Sequence, residues 1–184
     1  MTSAAQSWPI IAIAAAVLLA GVLVFLWRRR RGSRLDQVLN EISFERINTL
    51  VVPNGDEGEI LIDHLLLTSK GLLILEIKNV EGTVFGGDKL NDWSVIAQTG
   101  RHTFSNPQPG LYDRVAAVRS IVRDVPVEGR ILFNDGAEFP KGTPELVSTL
   151  DQLIDDFGEK DKNAVRFKIE AFKPHWDAIL KYAV

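Results

Sequence analysis

An unbroken run of 17 apolar residues, Ile10 to Leu26, stands between Trp8 and Trp27. Nothing else in the chain restricts its fold so tightly. A helix built from it has no face for water, and lipid suits that composition. At ~1.5 Å per residue, the helix from Trp8 to Trp27 covers about 30 Å, the thickness of a bilayer's hydrocarbon core. Backbone polar groups in hydrocarbon must be satisfied within the segment, which again requires a helix. The two indoles fall where amphipathic rings favour the membrane–water boundary. The sequence therefore predicts a short tail over 1–7 and a transmembrane helix over 8–27.

Arg28 to Arg31 follow at once, and no Lys or Arg precedes the run. The positive-inside rule then puts the N-terminus outside and the rest of the chain in the cytoplasm, as a single-pass protein of the inner (cytoplasmic) membrane. A cleaved signal peptide carries its charges before the apolar run, the reverse of this order. Residues 28–34 read as a basic juxtamembrane linker that meets anionic lipid at Arg28–Arg31. Gly32 and Ser33 read as a break between anchor and domain.

What remains of the 184 residues is enough for one domain with one core. The net charge of −3 hides an asymmetry. Five of the 21 basic residues lie between Arg28 and Arg34, so 16 remain against 24 acids, about −8 for the domain. Such a domain is poorly suited to strong non-specific binding of nucleic acid. The chain has no cysteine, which excludes disulfides, thiolate metal sites and cysteine nucleophiles.

Along the domain, Leu35, Val38, Leu39 and Ile42 recur at helical spacing. Ile47 to Val52 reads as a strand ending at Pro53-Asn54-Gly55. The apolar runs Ile60–Thr68 and Leu72–Lys78 flank Ser69-Lys70-Gly71 as a hairpin. Short strands are expected at 83–85 and 93–98. A helix is expected from near Gln108 to Arg123, with Leu111, Val115, Val118 and Val122 on one face, then a strand at 130–133. Thr143 and Pro144 predict a helix start running to Phe157, and a last helix is expected over 174–182. The order predicts a mixed α/β domain.

The hairpin strands are nearly continuous apolar runs, the pattern of central strands covered on both faces. Asp63, His64, Glu76 and Lys78 interrupt them. A turn centred between Ser69 and Lys70 makes cross-strand partners sum to 139, which sets Asp63 opposite Glu76 with Lys78 on the face of Glu76. Opposed residues have Cβ atoms about 5 Å apart. Carboxylates that close either share a divalent cation, Mg²⁺ or Mn²⁺, or belong to a buried ion network with the lysine. The first arrangement suits metal-assisted phosphodiester hydrolysis. His64 points to the other face and reads as a core or supporting histidine.

Asp63-His64, the hairpin, Glu76-Ile77-Lys78-Asn79 and Gly82 together resemble the nuclease-related domain (NERD), a family grouped with the PD-(D/E)XK nucleases. The likeness continues through Thr83-Val84-Phe85-Gly86, Trp93 and Phe104-Ser105-Asn106-Pro107. It implies a restriction-endonuclease-like core of helix, three strands, helix and strand over 35–135, with 136–184 as a helical extension of the same domain. It also implies Asp63 and Glu76 as metal-binding acids, Lys78 as the catalytic lysine, and DNA or RNA as substrate. The family's first helix carries a Gly-Glu pair that has no clean match here; Asp36 or Glu41 stands nearest. Gln108 and Tyr112 repeat the Gln-x-x-x-Tyr spacing of some related nucleases. The alternative is an inactive module of the same fold that binds a nucleic acid or a protein.

Overall fold

The computed structural model describes the backbone of residues 8–55, 58–133, 136–158 and 162–182, and their side chains except those of 8–15, 26–33 and 162–164. The chain divides into two compact units, Met1–Gln37 and Val38–Val184.

The first unit is most of helix α1 (Trp8–Ile42). Its described side chains from 16 to 25 are apolar and exposed. Among the described residues no helix is long and apolar enough to cross a membrane. Residues 16–25 are about half of the ~20 that a span requires. The other side chains of the expected span over 8–27, the tail over 1–7 and the side chains of Arg28–Arg31 lie outside the described residues. The expected break at Gly32-Ser33 does not occur, because α1 runs through both. One glycine costs a helix only about 1 kcal/mol, too little to end it between good helix formers.

The second unit begins with the last turn of α1, where Val38, Leu39 and Ile42 are buried. Three antiparallel strands follow: β1 (Glu45–Pro53), β2 (Glu59–Thr68) and β3 (Gly71–Lys78). Next come β4 (Gly82–Phe85), β5 (Asp92–Ala97) and β6 (Gly100–Ser105), then helix α2 (Gln108–Ile121) and β7 (Val127–Phe133). The short strands β8 (Ala137–Glu138) and β9 (Val147–Ser148) precede α3 (Leu150–Phe157) and α4 (Lys162–Leu180). One sheet has the order β1-β2-β3-β7-β9 and a second has the order β6-β5-β4-β8. The unit is thus a mixed α/β fold, as expected.

Buried apolar residues on β3 and β7 explain their central place. Leu72 to Leu75 and Ile131 to Phe133 are each no more than 5% exposed. The two strands run parallel, so the connection between them needs a crossover, which α2 supplies. Gly129 brings α2 close: a Cβ there would lie 2.8 Å from Leu111 Cγ.

Beyond Phe133 the chain gives a strand to each sheet as well as two helices. The expected helix start at Thr143-Pro144 falls in a turn. The start is instead at Thr149, whose hydroxyl accepts from Gln152 N while Gln152 Oε1 accepts from Thr149 N. That reciprocal pair satisfies two otherwise orphaned donors, which a proline at 144 does not do. Helix α4 starts twelve residues before Pro174 and passes through it. Val165, Ile169, Phe172, Trp176 and Ile179 recur every three or four residues and pack inward, which outweighs the local loss at proline.

Candidate active site

The β2–β3 register runs from Thr68↔Gly71 to His64↔Leu75, each pair summing to 139. The turn is therefore where the sequence places it. One step further along that register sets Asp63 opposite Glu76, just past the last paired position. Glu76 is 8% exposed, near the C-terminal end of a central strand. Asp63, by contrast, is exposed.

The difference has a local cause. Ile60 and Ile62 face the same core cluster as Leu65 and Leu67, so the inward set of β2 shifts phase between 62 and 65. On β1, Ile47 is followed inward by Leu50 and Val52, the same shift. Between these stretches the β1–β2 pairing skips one step, with Asn48↔His64 on one side and Leu50↔Ile62 on the other. The skipped residues are Thr49 and Asp63. Thr49 has φ 68°, a conformation that a β-branched residue rarely adopts.

Both oxygens of Glu76 meet cations. Lys78 Nζ lies 2.6 Å from Oε1, and Arg114 NH1 lies 3.5 Å from Oε2. Lys78 shares the face of Glu76, as the strand period requires. Arg114 comes from α2, and its Nε donates to the carbonyl of Leu61 at 2.8 Å. Sequence reasoning missed this residue. Its signal was positional: Arg114 falls between Leu111, Val115 and Val118 at the i, i+3, i+4, i+7 spacing of the buried stripe, and a cation there needs a partner.

His64 is half-buried, and its Nδ1 lies 2.9 Å from Asn48 Oδ1. Burial lowers its pKa below the usual histidine value; Asp63 opposes that shift and Arg46 adds to it. Gln108 is buried, and its Oε1 accepts from Leu146 N at 3.2 Å, fixing the chain ahead of β9. Tyr112, four residues later, is 51% exposed. Asp36 and Glu41 are exposed positions on α1.

The glycine, tryptophan and Asn-Pro elements have structural roles. Trp93 is fully buried, and its Nε1 donates to Gly87 O at 3.1 Å. A Cβ on Gly86 would lie 2.7 Å from the Trp93 ring. Asn106 Nδ2 donates to Leu90 O at 2.8 Å, and Gln108 N donates to Asn106 Oδ1 at 3.0 Å. These bonds fix the entry into α2, and so the origin of Arg114.

Among the described residues no three His, Asp or Glu side chains gather as metal ligands. Asp63 and Glu76 supply two carboxylates. That donor set fits Mg²⁺ or Mn²⁺ keeping several waters, and does not fit an ion caged by protein alone.

The fold is a mixed α/β domain that carries Asp63, Glu76 and Lys78 on its central hairpin. The nuclease-related domain (NERD) family model matches residues 27–134, more than half of the chain, and the chain belongs to that family. The hairpin and its lysine are consistent with the PD-(D/E)XK group. An uncharacterized protein of Bacillus anthracis is 24% identical over 100 residues, 52% of this chain and 47% of that protein. The chain thus spans about half the length of the curated relative it matches. No solved structure matches the chain.

Proposed function

We propose that this domain hydrolyses phosphodiester bonds of nucleic acid with a divalent cation, Mg²⁺ or Mn²⁺, held by Asp63 and Glu76. The observation that carries the reading is the buried Glu76 with the Lys78 ammonium 2.6 Å from it. The cation would supply Lewis-acid polarisation of the phosphoryl group. Lys78, 34% exposed at its side chain, can turn from Glu76 to a phosphate oxygen or an attacking water. There its positive charge stabilises the charge that develops in the transition state. Full-length protein in mild detergent, given labelled DNA and RNA with Mg²⁺, Mn²⁺ or EDTA, tests this. Cleavage that needs the metal supports the proposal; no cleavage of either substrate with either metal defeats it.

A membrane tether belongs to the same proposal. It rests on the run from Ile10 to Leu26, on the exposed apolar side chains of 16–25, and on the arginines that follow. A water-exposed helix with no polar face requires lipid or a protein cover. The domain would then work at the cytoplasmic face, with Arg28–Arg31 against anionic lipid. A reporter active only outside the cytoplasm, fused after Val184, should be silent; an active one overturns the topology.

The second reading is a binding module that has kept the fold without the chemistry and takes a nucleic acid or protein partner. Its support is that both Glu76 oxygens already face cations and that no three-ligand group occurs among the described residues. Metal titration separates the readings, because a module of that kind gains no stability from Mg²⁺ or Mn²⁺.

A further inference from the structure

Arg114 is a charged residue in the inward stripe of α2, braced at one end and loosely engaged at the other. Its Nε is fixed on Leu61 O at 2.8 Å, while its NH1 stands 3.5 Å from Glu76 Oε2, the outer limit of a hydrogen bond. Lys78 holds the other Glu76 oxygen at 2.6 Å. Helix side chains lean toward the N-terminus, so the guanidinium lies over the preceding turn. Gly110 occupies that turn, and a Cβ there would be 3.1 Å from Arg114 NH1. Glycine is a poor helix residue, and here its missing side chain leaves the guanidinium its space.

Resting on the metal-site reading above, we propose that Arg114 is a positioning residue with two settings. Without a cation, NH1 neutralises Glu76 Oε2. When a cation takes that oxygen, Arg114 is displaced from it, stays anchored on Leu61 O, and turns NH1 to a phosphate oxygen of the substrate. The weak contact to Glu76 and the firm one to Leu61 suit that exchange. A planar fork with several donors can keep one bond while it moves another.

The test is Mn²⁺ binding to full-length protein by calorimetry, with inorganic phosphate binding in Mg²⁺ followed by ³¹P NMR. Arg114→Ala removes a cation that competes for Glu76, so Mn²⁺ should bind about threefold or more tighter. Phosphate should bind about tenfold or more weaker, because a charged hydrogen bond is lost. Gly110→Ala, which crowds the guanidinium and favours the helix, should shift both affinities in the same directions by less. It serves if Arg114→Ala fails to fold. Unchanged Mn²⁺ and phosphate affinities in a folded Arg114→Ala or Gly110→Ala protein overturn the inference and leave the metal site standing. Absence of Mn²⁺ binding in the parent overturns both.

Discussion

The Lys78 ammonium lies 2.6 Å from Glu76 Oε1, two residues along the same strand. Arg114 stands on the other oxygen, so Glu76 keeps one cation if the lysine is removed. Lys78→Ala should therefore fold, and its metal affinity should hold or rise, because a cation that competes for Glu76 is gone. Its hydrolysis rate should fall ~10²-fold or more, the loss expected for a positioned charge or proton donor. Rate and melting temperature are measured together. An unchanged rate with a lower melting temperature would make Lys78 a structural partner only.

Asp63 differs from Glu76 because it is exposed. Exposed substitutions usually change stability by no more than about 0.5 kcal/mol. Asp63→Asn should melt with the parent when no metal is present. With Mg²⁺ or Mn²⁺ added, the parent should gain stability by mass action and the variant should not. Equal gains in both proteins would remove Asp63 from the ligand set.

The hairpin was legible in the sequence because its pattern is local. Two apolar runs around Ser69-Lys70 fix the register from Thr68↔Gly71 to His64↔Leu75, one step short of Asp63 and Glu76. Lys78 followed from the strand period. What escaped depends on partners far along the chain. Arg114 shows in the sequence only as a cation in an apolar stripe, and its partner Glu76 emerges once α2 is laid against β2 and β3. The pairs Gly82↔Ala137 and Ile131↔Val147 join segments 55 and 16 residues apart, so β8 and β9 leave little local trace. β6 is mostly exposed, with Gly100, Arg101, His102 and Thr103 lacking an apolar alternation. The cap at Thr149 was overlooked because Thr143-Pro144 imitates a helix start. The family's Gly86, Trp93 and Asn106 were legible as a motif, while their packing role needed the coordinates.

The pKa of His64 is lowered by burial, so the folded state binds its proton less readily than the unfolded state does. Above about pH 6.5 both states hold it neutral and the shift has no effect. As pH falls below that value, the unfolded state takes up more protons and stability declines, until the folded histidine also titrates. The melting temperature should drop through this window, and His64→Gln should flatten the decline. A His64→Gln profile parallel to the parent's would assign the acid sensitivity elsewhere.

Thr49 has φ 68° in the middle of β1, at the step where the register places Asp63 across from it. Left-handed backbone costs a non-glycine residue about 1–3 kcal/mol, and a β-branched side chain adds crowding there. Thr49 is exposed, so its side chain contributes little packing in return. Thr49→Gly removes the strain but also loosens the unfolded chain, by about 0.5–1 kcal/mol. The net expectation is a gain of about 0.5–1 kcal/mol, or a few degrees in melting temperature. Thr49→Asn should gain too, since asparagine tolerates this region, and Thr49→Val should gain nothing. The three variants separate strain from side-chain loss. A fall in stability for Gly and Asn alike would mean that the threonine side chain contributes contacts that outweigh its backbone cost. If Gly and Asn gain while metal-induced stabilisation weakens, the strained step is also what presents Asp63 to the site.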